Sequence, residues 1–265
     1  MTNLTQLQQK SLFNWNLAMA FLHFIQALIM FFLSTEVLYK TFVTLPAANG
    51  RGFPIPLQNE LFLEFNLGQT ISFFLFASAI AHFVTILPGV HSWYLKNLAR
   101  EMNLIRWWEY AFSSSVMIVV IAALCGINDA FILGLLFSIN ACMNLFGAVM
   151  EKHNSALKEL KGREYKTDWT AYIYGVFAGI IPWIVMGAYF FTALDVAGDR
   201  VPDFVYWTFG ILFVFFNLFA INMFVQYQKL GPWKEYLFGE KAYIILSLAA
   251  KTTLAWLIWG GTLRG

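Results

Sequence analysis

Seven apolar stretches follow one another along the chain, separated by short polar breaks. A bilayer crossing takes about 20 residues, and runs of that order occupy Leu12–Leu33, Leu61–Leu87, Leu104–Cys125, Ala130–Met150, Trp169–Thr192, Phe204–Tyr227 and Ala242–Gly260. The pattern predicts seven transmembrane helices. They fill most of residues 1–265, so the expected organisation is a single domain without a soluble module, internal repeat or low-complexity segment. The longest break, "STEVLYKTFVTLPAANGRGFPIPLQNE" at 34–60, mixes β-forming residues with Asn-Gly and three prolines. That mixture predicts a short hairpin, serving either as an irregular cap or as a dimer contact or lid.

Composition agrees with the pattern: 59% of residues are hydrophobic and 12% charged, outside the range of a soluble globular domain. The fold class expected is an all-α membrane protein, a seven-transmembrane helix bundle. Its first run follows a polar leader carrying Lys10, exceeds a signal-peptide core and has no small-residue cleavage site after it, so it reads as a retained helix. Cys125 and Cys142 both fall in spans without metal-ligand spacing. No metal-ligand cluster, nucleophile–base pair or phosphate-binding glycine loop is present in the sequence, so it is not expected to be an enzyme. No nucleic-acid partner is expected either.

Loop charge orients the bundle, because short loops rich in Lys and Arg stay in the cytoplasm. The side of the amino terminus carries eleven basic residues: Lys10, Lys96, Arg100, five within "EKHNSALKELKGREYKTD", and Lys229, Lys234 and Lys241. The opposite side carries four, Lys40, Arg51, Arg200 and Arg264. An inverted topology is expected, with a cytoplasmic amino terminus and the carboxyl terminus outside. The segment "EKHNSALKELKGREYKTD" reads as a solvated loop facing lipid headgroups.

Few ionisable residues remain inside the spans, and each costs about 2.5–3.5 kcal/mol at a helix centre on insertion scales. Glu64 and Asp203 lie near outer helix ends. That leaves His23, His82, Arg106, Glu109 and Lys251. If helices 3 and 7 begin near Lys96 and Tyr236, Glu109 lies 13 residues in and Lys251 15, each about 20 Å along its helix. Helix 1, entering near Lys10, places His23 13 residues in, and helix 2, leaving near Trp93, places His82 11 residues from that end. Four ionisable groups on four helices are thus expected at one level.

Arg106, Glu109 and Ser113 share a helix face by their spacing of three and four, and Ser247 lies one turn before Lys251. A small polar pocket is expected, with Trp107, Trp108, Tyr110, Trp183, Trp207 and Trp256 available as walls. Lys251 then has two readings of equal weight. One is a structural ion pair with Glu109. In the other it is a nucleophile, since desolvation favours a neutral amine, which attacks an aldehyde to give a Schiff base that needs an anion beside it once protonated.

The residues "RWWEYAFSSSVMIVVIAALCGI" in span 3, "INACMNLFG" in span 4, "IPW" in span 5 and "GEKAYIILSLAAKTTLAW" running into span 7 resemble those of the heliorhodopsins, retinal proteins distant from the microbial pump rhodopsins. The resemblance extends over all seven spans in order. It implies that Lys251 binds all-trans retinal as a Schiff base, that Glu109 is the counterion and that Ser247 stands where pump rhodopsins carry a second carboxylate. It also implies that His23 and His82 line an adjacent polar cavity, with Gln26, Ser78, Asn103 and Tyr110 as further members. Asn140 and Met143 match span 4 pocket positions. The family shares the inverted topology obtained from loop charge, and its members are dimers joined in part through the long outer loop.

The function expected is light sensing without net ion pumping, in the cell membrane, signalling through cytoplasmic loops to an unknown partner. A pump needs ionisable groups on both sides of the Schiff base, and three turns beyond Glu109, where a proton pump keeps its reprotonating carboxylate, stands Val120. The alternatives are a light-driven or light-gated proton or ion transporter, since proton conductance is known among viral members of the family, and a non-photochemical transporter using the Lys251–Glu109 pair.

Overall fold

Residues 4–47, 55–197 and 201–264 are described by the computed structural model. The chain starts with helix α1 (Gln6–Leu33), whose Thr5 and Gln8 form a reciprocal capping box. Strands β1 (Leu38–Pro46) and β2 (Leu57–Asn66) pair antiparallel as the expected hairpin, with a register irregularity between Thr41 and Phe42. Helices α2 (Leu67–Ile86), α3 (Val90–Leu98), α4 (Leu104–Leu124), α5 (Ala130–Lys161), α6 (Thr170–Ala197), α7 (Asp203–Tyr227) and α8 (Tyr236–Ile258) follow, α8 continuing as a π-helical turn to Leu263. All but α3 are long and apolar enough to cross a membrane, seven among the described residues. Arg51 and Arg200, two of the four basic residues assigned to the outer side, lie outside the described residues, as does the Asn-Gly of the hairpin.

Three boundaries differ from the sequence expectation. Residues 61–66 pair with β1 rather than opening the second helix, which begins at Leu67 with Asn66 capping it through Gln69 N. The second difference is a break: α2 ends before Pro88, and α3 is a separate short helix on the amino-terminal side. Pro88 disfavours helix in the residue before it. The chain leaves α3 through Glu101 in the left-handed region at φ 59°, and Asn103 then caps α4 by accepting from Arg106 N. Glu109 is therefore six residues into its helix, not 13 residues beyond an origin at Lys96. Third, α5 runs about three turns past Met150, so the first half of the presumed solvated loop is helix, and Glu151 and Asn154 on it are buried.

Helix α1 packs on α2, α2 on α4, α4 on α5, α5 on α6 and α7 on α8, and α1 also touches α8. Phe74, Met117, Ile118, Ile121, Leu254 and Ile258 belong to a dry core in the half nearer the hairpin. Outward-facing Phe21, Phe177, Trp108 and Trp207 are exposed, as lipid-facing positions are. Trp108, Trp207 and Trp256, expected as possible pocket walls, lie on that outer surface or at its margin.

The hairpin is fastened to the bundle by polar contacts. Tyr39 donates its hydroxyl to Ala123 O (3.1 Å) or Ile127 O (3.0 Å), Phe42 N donates to Asn128 O, and Thr35 N to Leu263 O. Burial pushes the Tyr39 hydroxyl pKa up to about 12, so it stays a donor at neutral pH. Glu64, placed near a helix end from sequence, lies on β2 and pairs with Lys40 across the hairpin at 3.4 Å.

Close helix approach depends on small residues. A Cβ on Gly147 of α5 would fall 2.4 Å from the Trp107 ring, and one on Gly179 of α6 2.5 Å from Met143 Sδ. An indole wedged in a helix interface cannot step aside, whereas a thioether can change rotamer. Gly147→Ala should therefore cost about 1–3 kcal/mol and Gly179→Ala distinctly less. Thermal unfolding of the two variants in detergent checks the order, and equal losses would refute the rigid-wedge account.

Candidate functional site

Lys251, 3% exposed, sits midway along α8 and donates from Nζ to Glu109 Oε1 at 2.7 Å and to Ser247 Oγ at 3.1 Å. Glu109 also accepts from Ser78 Oγ at 2.7 Å. Four helical turns thus converge from α2, α4 and α8. The pairing survives the revised start of α4 because side chains tilt toward the helix amino terminus, so the long lysine reaches back to the shorter carboxylate. Ser113, fully buried, follows Glu109 on the same face of α4.

On the pair's α1–α2 flank, His23 and His82 stack with ring centroids 5.8 Å apart. His82 Nδ1 donates to Asn16 Oδ1 at 2.8 Å, while neither His23 nitrogen has a hydrogen-bond partner among the described residues. A polar cavity of about 30 Å³ extends from there toward the amino-terminal side, lined by Asn16, His82, Asn103, Arg106, Glu109 and Glu240 among others. Gln26 does not join this group. Its amide oxygen accepts from Trp256 Nε1 at 3.3 Å near the lipid surface.

Arg106 is the main departure from expectation. It shares a cavity with Glu109, yet its guanidinium is held by Glu151 of α5 through Nη2 and by Glu240 of α8 through Nη1. The cation also lies over Tyr243 at 3.9 Å and Trp107 at 4.8 Å. Asn103 completes the cluster, donating from its backbone to Glu151 and from its side chain to Glu240. Glu109 is therefore not the sole buried carboxylate in this half of the bundle.

On the opposite flank of Lys251 the lining turns apolar. A cavity of about 40 Å³ is bordered by Lys251, Tyr110, Met117, Met143, Phe216 and Phe219. It shares Met143, Asn144, Phe216 and Phe219 with a larger cavity of about 130 Å³ between α5, α6 and α7 that reaches Trp107 and Trp183. Gly147, Gly175 and Gly179 line that larger cavity, thinning the α5–α6 wall. Tyr110 donates its hydroxyl to Tyr243 O, and Lys251 Nζ lies 5.4 Å from its ring centroid. Asn140 donates to Ser114 Oγ and Ser115 Oγ, tying α5 to α4 beside this space.

A single amine at one end of a long apolar space fits a ligand with one reactive carbonyl and a long hydrocarbon body. The heliorhodopsin family model matches residues 12–263. The chain belongs to the heliorhodopsin family. Heliorhodopsins bind retinal and sense light, so this protein is a retinal-binding, light-sensing rhodopsin and a multi-pass integral membrane protein. No curated protein matches the chain. The donor set of this heliorhodopsin suits retinal: the amine stands at the junction of the polar cluster and the aromatic space, and among the described residues no charged side chain lines the larger cavity.

Sequence reasoning missed Glu151, Glu240, Asn16 and Asn144. Spacing held a signal for three of them: Glu240, Ile244, Ser247 and Lys251 recur at four, three and four, as do Asn140, Asn144, Gly147 and Glu151. Lys241 and Lys152, each next to a glutamate, made both segments read as interfacial.

Removing Arg106 strands two carboxylates in the interior. Arg106→Met should destabilise by about 3–5 kcal/mol, the usual cost of breaking a buried charge cluster from one side. Adding Glu151→Gln and Glu240→Gln to it should restore most of the loss, because no uncompensated charge remains. Melting temperatures of the single and triple variants test this, and a triple variant weaker than the single would contradict it.

Proposed function

We propose that this heliorhodopsin is a photosensor in which Lys251 carries all-trans retinal as a protonated Schiff base and Glu109 is the counterion, without net ion pumping. The observation that carries the reading is the 2.7 Å contact between Lys251 Nζ and Glu109 Oε1 at the end of the apolar space. When bound, retinal would supply the absorber, the bond that isomerises and the carbonyl carbon to which Lys251 Nζ is joined, its oxygen leaving as water. Glu109 holds the positive charge at Nζ, and Ser78 and Ser247 fix the two groups by hydrogen bonds. Aromatic and thioether side chains of α4, α5 and α7 exclude water from the hydrocarbon body. Trp183, edge-on to Phe209, Phe213 and Phe216, forms a stiff wall near Pro182 of α6.

Sensing is favoured over pumping by where buried charge stops. Among the described residues, the buried or nearly buried charged and imidazole groups are His23, His82, Glu109, Lys251, Arg106, Glu151 and Glu240. Beyond Lys251 toward the hairpin, α4 presents Met117, Ile118, Val120 and Ile121, each at most 2% exposed. A proton leaving Nζ has polar groups on one side and hydrocarbon on the other, so it moves into the polar side by way of the His23–His82 flank and is returned. The amino-terminal side, rich in lysine and arginine, is the cytoplasmic face, where altered loops meet a signalling partner. The protein sits in the cell membrane as a homodimer, with the hairpin at the contact.

Lys251→Ala should abolish visible colour after retinal is supplied, and Glu109→Gln should shift absorption strongly to the red or deprotonate the chromophore site. An unchanged spectrum in either variant would defeat the assignment. His23→Phe and His82→Phe should keep the colour and alter recovery after a flash, whereas wild-type recovery in both would remove the histidines from the proton route. Illumination of cells expressing the coloured protein should give no light-dependent current or pH change. A signal that disappears with Lys251→Ala would identify a transporter instead.

A further inference from the structure

Glu151 and Glu240 share one guanidinium inside the bundle. Both carboxylates are 1% exposed and Arg106 is 6% exposed. Their other donors are neutral: Asn103 N to Glu151 Oε2 at 2.7 Å, Asn103 Nδ2 to Glu240 Oε1 at 2.5 Å, and the Tyr236 hydroxyl to Glu151 Oε1 at 3.4 Å. The titratable groups facing the cluster are Tyr236 and Tyr243 of α8, Tyr94 of α3, Tyr227 of α7, His82 of α2, and Glu109 and Tyr110 of α4. None of these is a permanent cation. With both glutamates ionised, the cluster carries one excess negative charge in a medium that stabilises charge poorly.

The cluster is also connected to the chromophore site. Glu240, Arg106 and Glu109 line one polar cavity of about 30 Å³, and a polar space needs about 10–15 Å³ to hold a water. One or two waters therefore fit between Glu109 and Glu240, with His82 and Asn103 as further partners.

We propose that Glu240 is the terminal acceptor of the proton that leaves Lys251 Nζ after light absorption, with Arg106 redistributing the charge. The inference rests on the Schiff-base reading of Lys251 and Glu109 and deepens it by naming where the proton stops. The N–H bond at Nζ breaks with its electron pair retained on nitrogen, and an O–H bond forms on a Glu240 carboxylate oxygen. Net charge is conserved: Nζ becomes neutral, Glu240 becomes neutral, and Glu109 and Glu151 remain ionised.

Three acceptors compete, and charge placement separates them. A proton on His82 creates a new buried cation while leaving the Glu151–Glu240 excess in place. On Glu109 it leaves two anions crowded on one guanidinium. With the proton on Glu240, the guanidinium keeps a single bonded carboxylate, Glu151, and its charge excess is removed, while Glu109 keeps its Ser78 hydrogen bond and shares a cavity with Arg106, one turn away on the same helix. Protonation also weakens the Arg106–Glu240 contact, one of the ties joining α4 to α8 near the cytoplasmic face.

Infrared difference spectroscopy of the retinal-loaded protein tests the assignment, with visible absorption recorded on the same sample to follow deprotonation at Nζ. A carboxylic-acid C=O band should rise as Nζ loses its proton, disappear in Glu240→Gln and return at a shifted position in Glu240→Asp. In the dark, wild type minus Glu240→Gln should show a carboxylate stretch and no carboxylic-acid C=O band, a readout independent of the light cycle, because an acceptor must start ionised. A light-induced band that persists in Glu240→Gln and is lost in Glu109→Gln would overturn the proposal, as would deprotonation at Nζ accompanied only by imidazolium signals. If Glu240→Gln does not keep its colour, the band position in Glu240→Asp decides, because an unshifted band belongs to another carboxyl. A wild-type protein without colour would sink the underlying Schiff-base reading instead.

Discussion

A charge held within a bilayer is stable only beside an opposite charge or a full set of hydrogen bonds, and that constraint organises this bundle. Lys251 and Glu109 neutralise each other inside the bundle, and Ser78 adds a hydrogen bond to the carboxylate. Meeting those needs fixes α2, α4 and α8 against one another at one depth. Farther toward the amino-terminal side the same constraint acts with the signs exchanged: one cation, Arg106, is enclosed by two carboxylates from α5 and α8. The two clusters share α4 and α8 as common supports, and a polar cavity lies between them. The hydrocarbon side chains that fill the rest of the interior are arranged around these fixed points.

Much of this was legible because membrane helices announce themselves by length and apolarity. Lys251 and Glu109 stood out as charges without local relief, and family motifs around them pointed to retinal. Helix ends were less legible. Leu61–Asn66 is as apolar as a helix start, yet it is a strand because a nine-residue partner strand lies opposite it. Hydropathy does not distinguish these two ways of satisfying backbone groups. The break between α3 and α4 depends on a left-handed Glu101, a conformation that composition does not reveal.

Arg106 illustrates a different limit. Its spacing from Glu109 placed both on one helix face, and that placement was correct as geometry. Choice of partner was decided by Glu151 and Glu240, contributed by helices distant in sequence. Each carries a lysine as its next neighbour, which made it look like an interfacial charge. A helix face says where a side chain starts, whereas a guanidinium on a long stem bonds wherever the nearest unpaired carboxylates lie.

Polar contacts at the hairpin bear on how the two helices of the Lys251–Glu109 pair are held. Thr35 N bonds Leu263 O at the far end of α8, and the hairpin grips the end of α4 through Tyr39 and the following turn through Phe42. Both helices that carry the Lys251–Glu109 pair are thereby clamped at that end. At the opposite end the same two helices are tied by Arg106 and Asn103 of the α4 entry to Glu240 of α8, so the pair at mid-helix lies between two sets of polar ties.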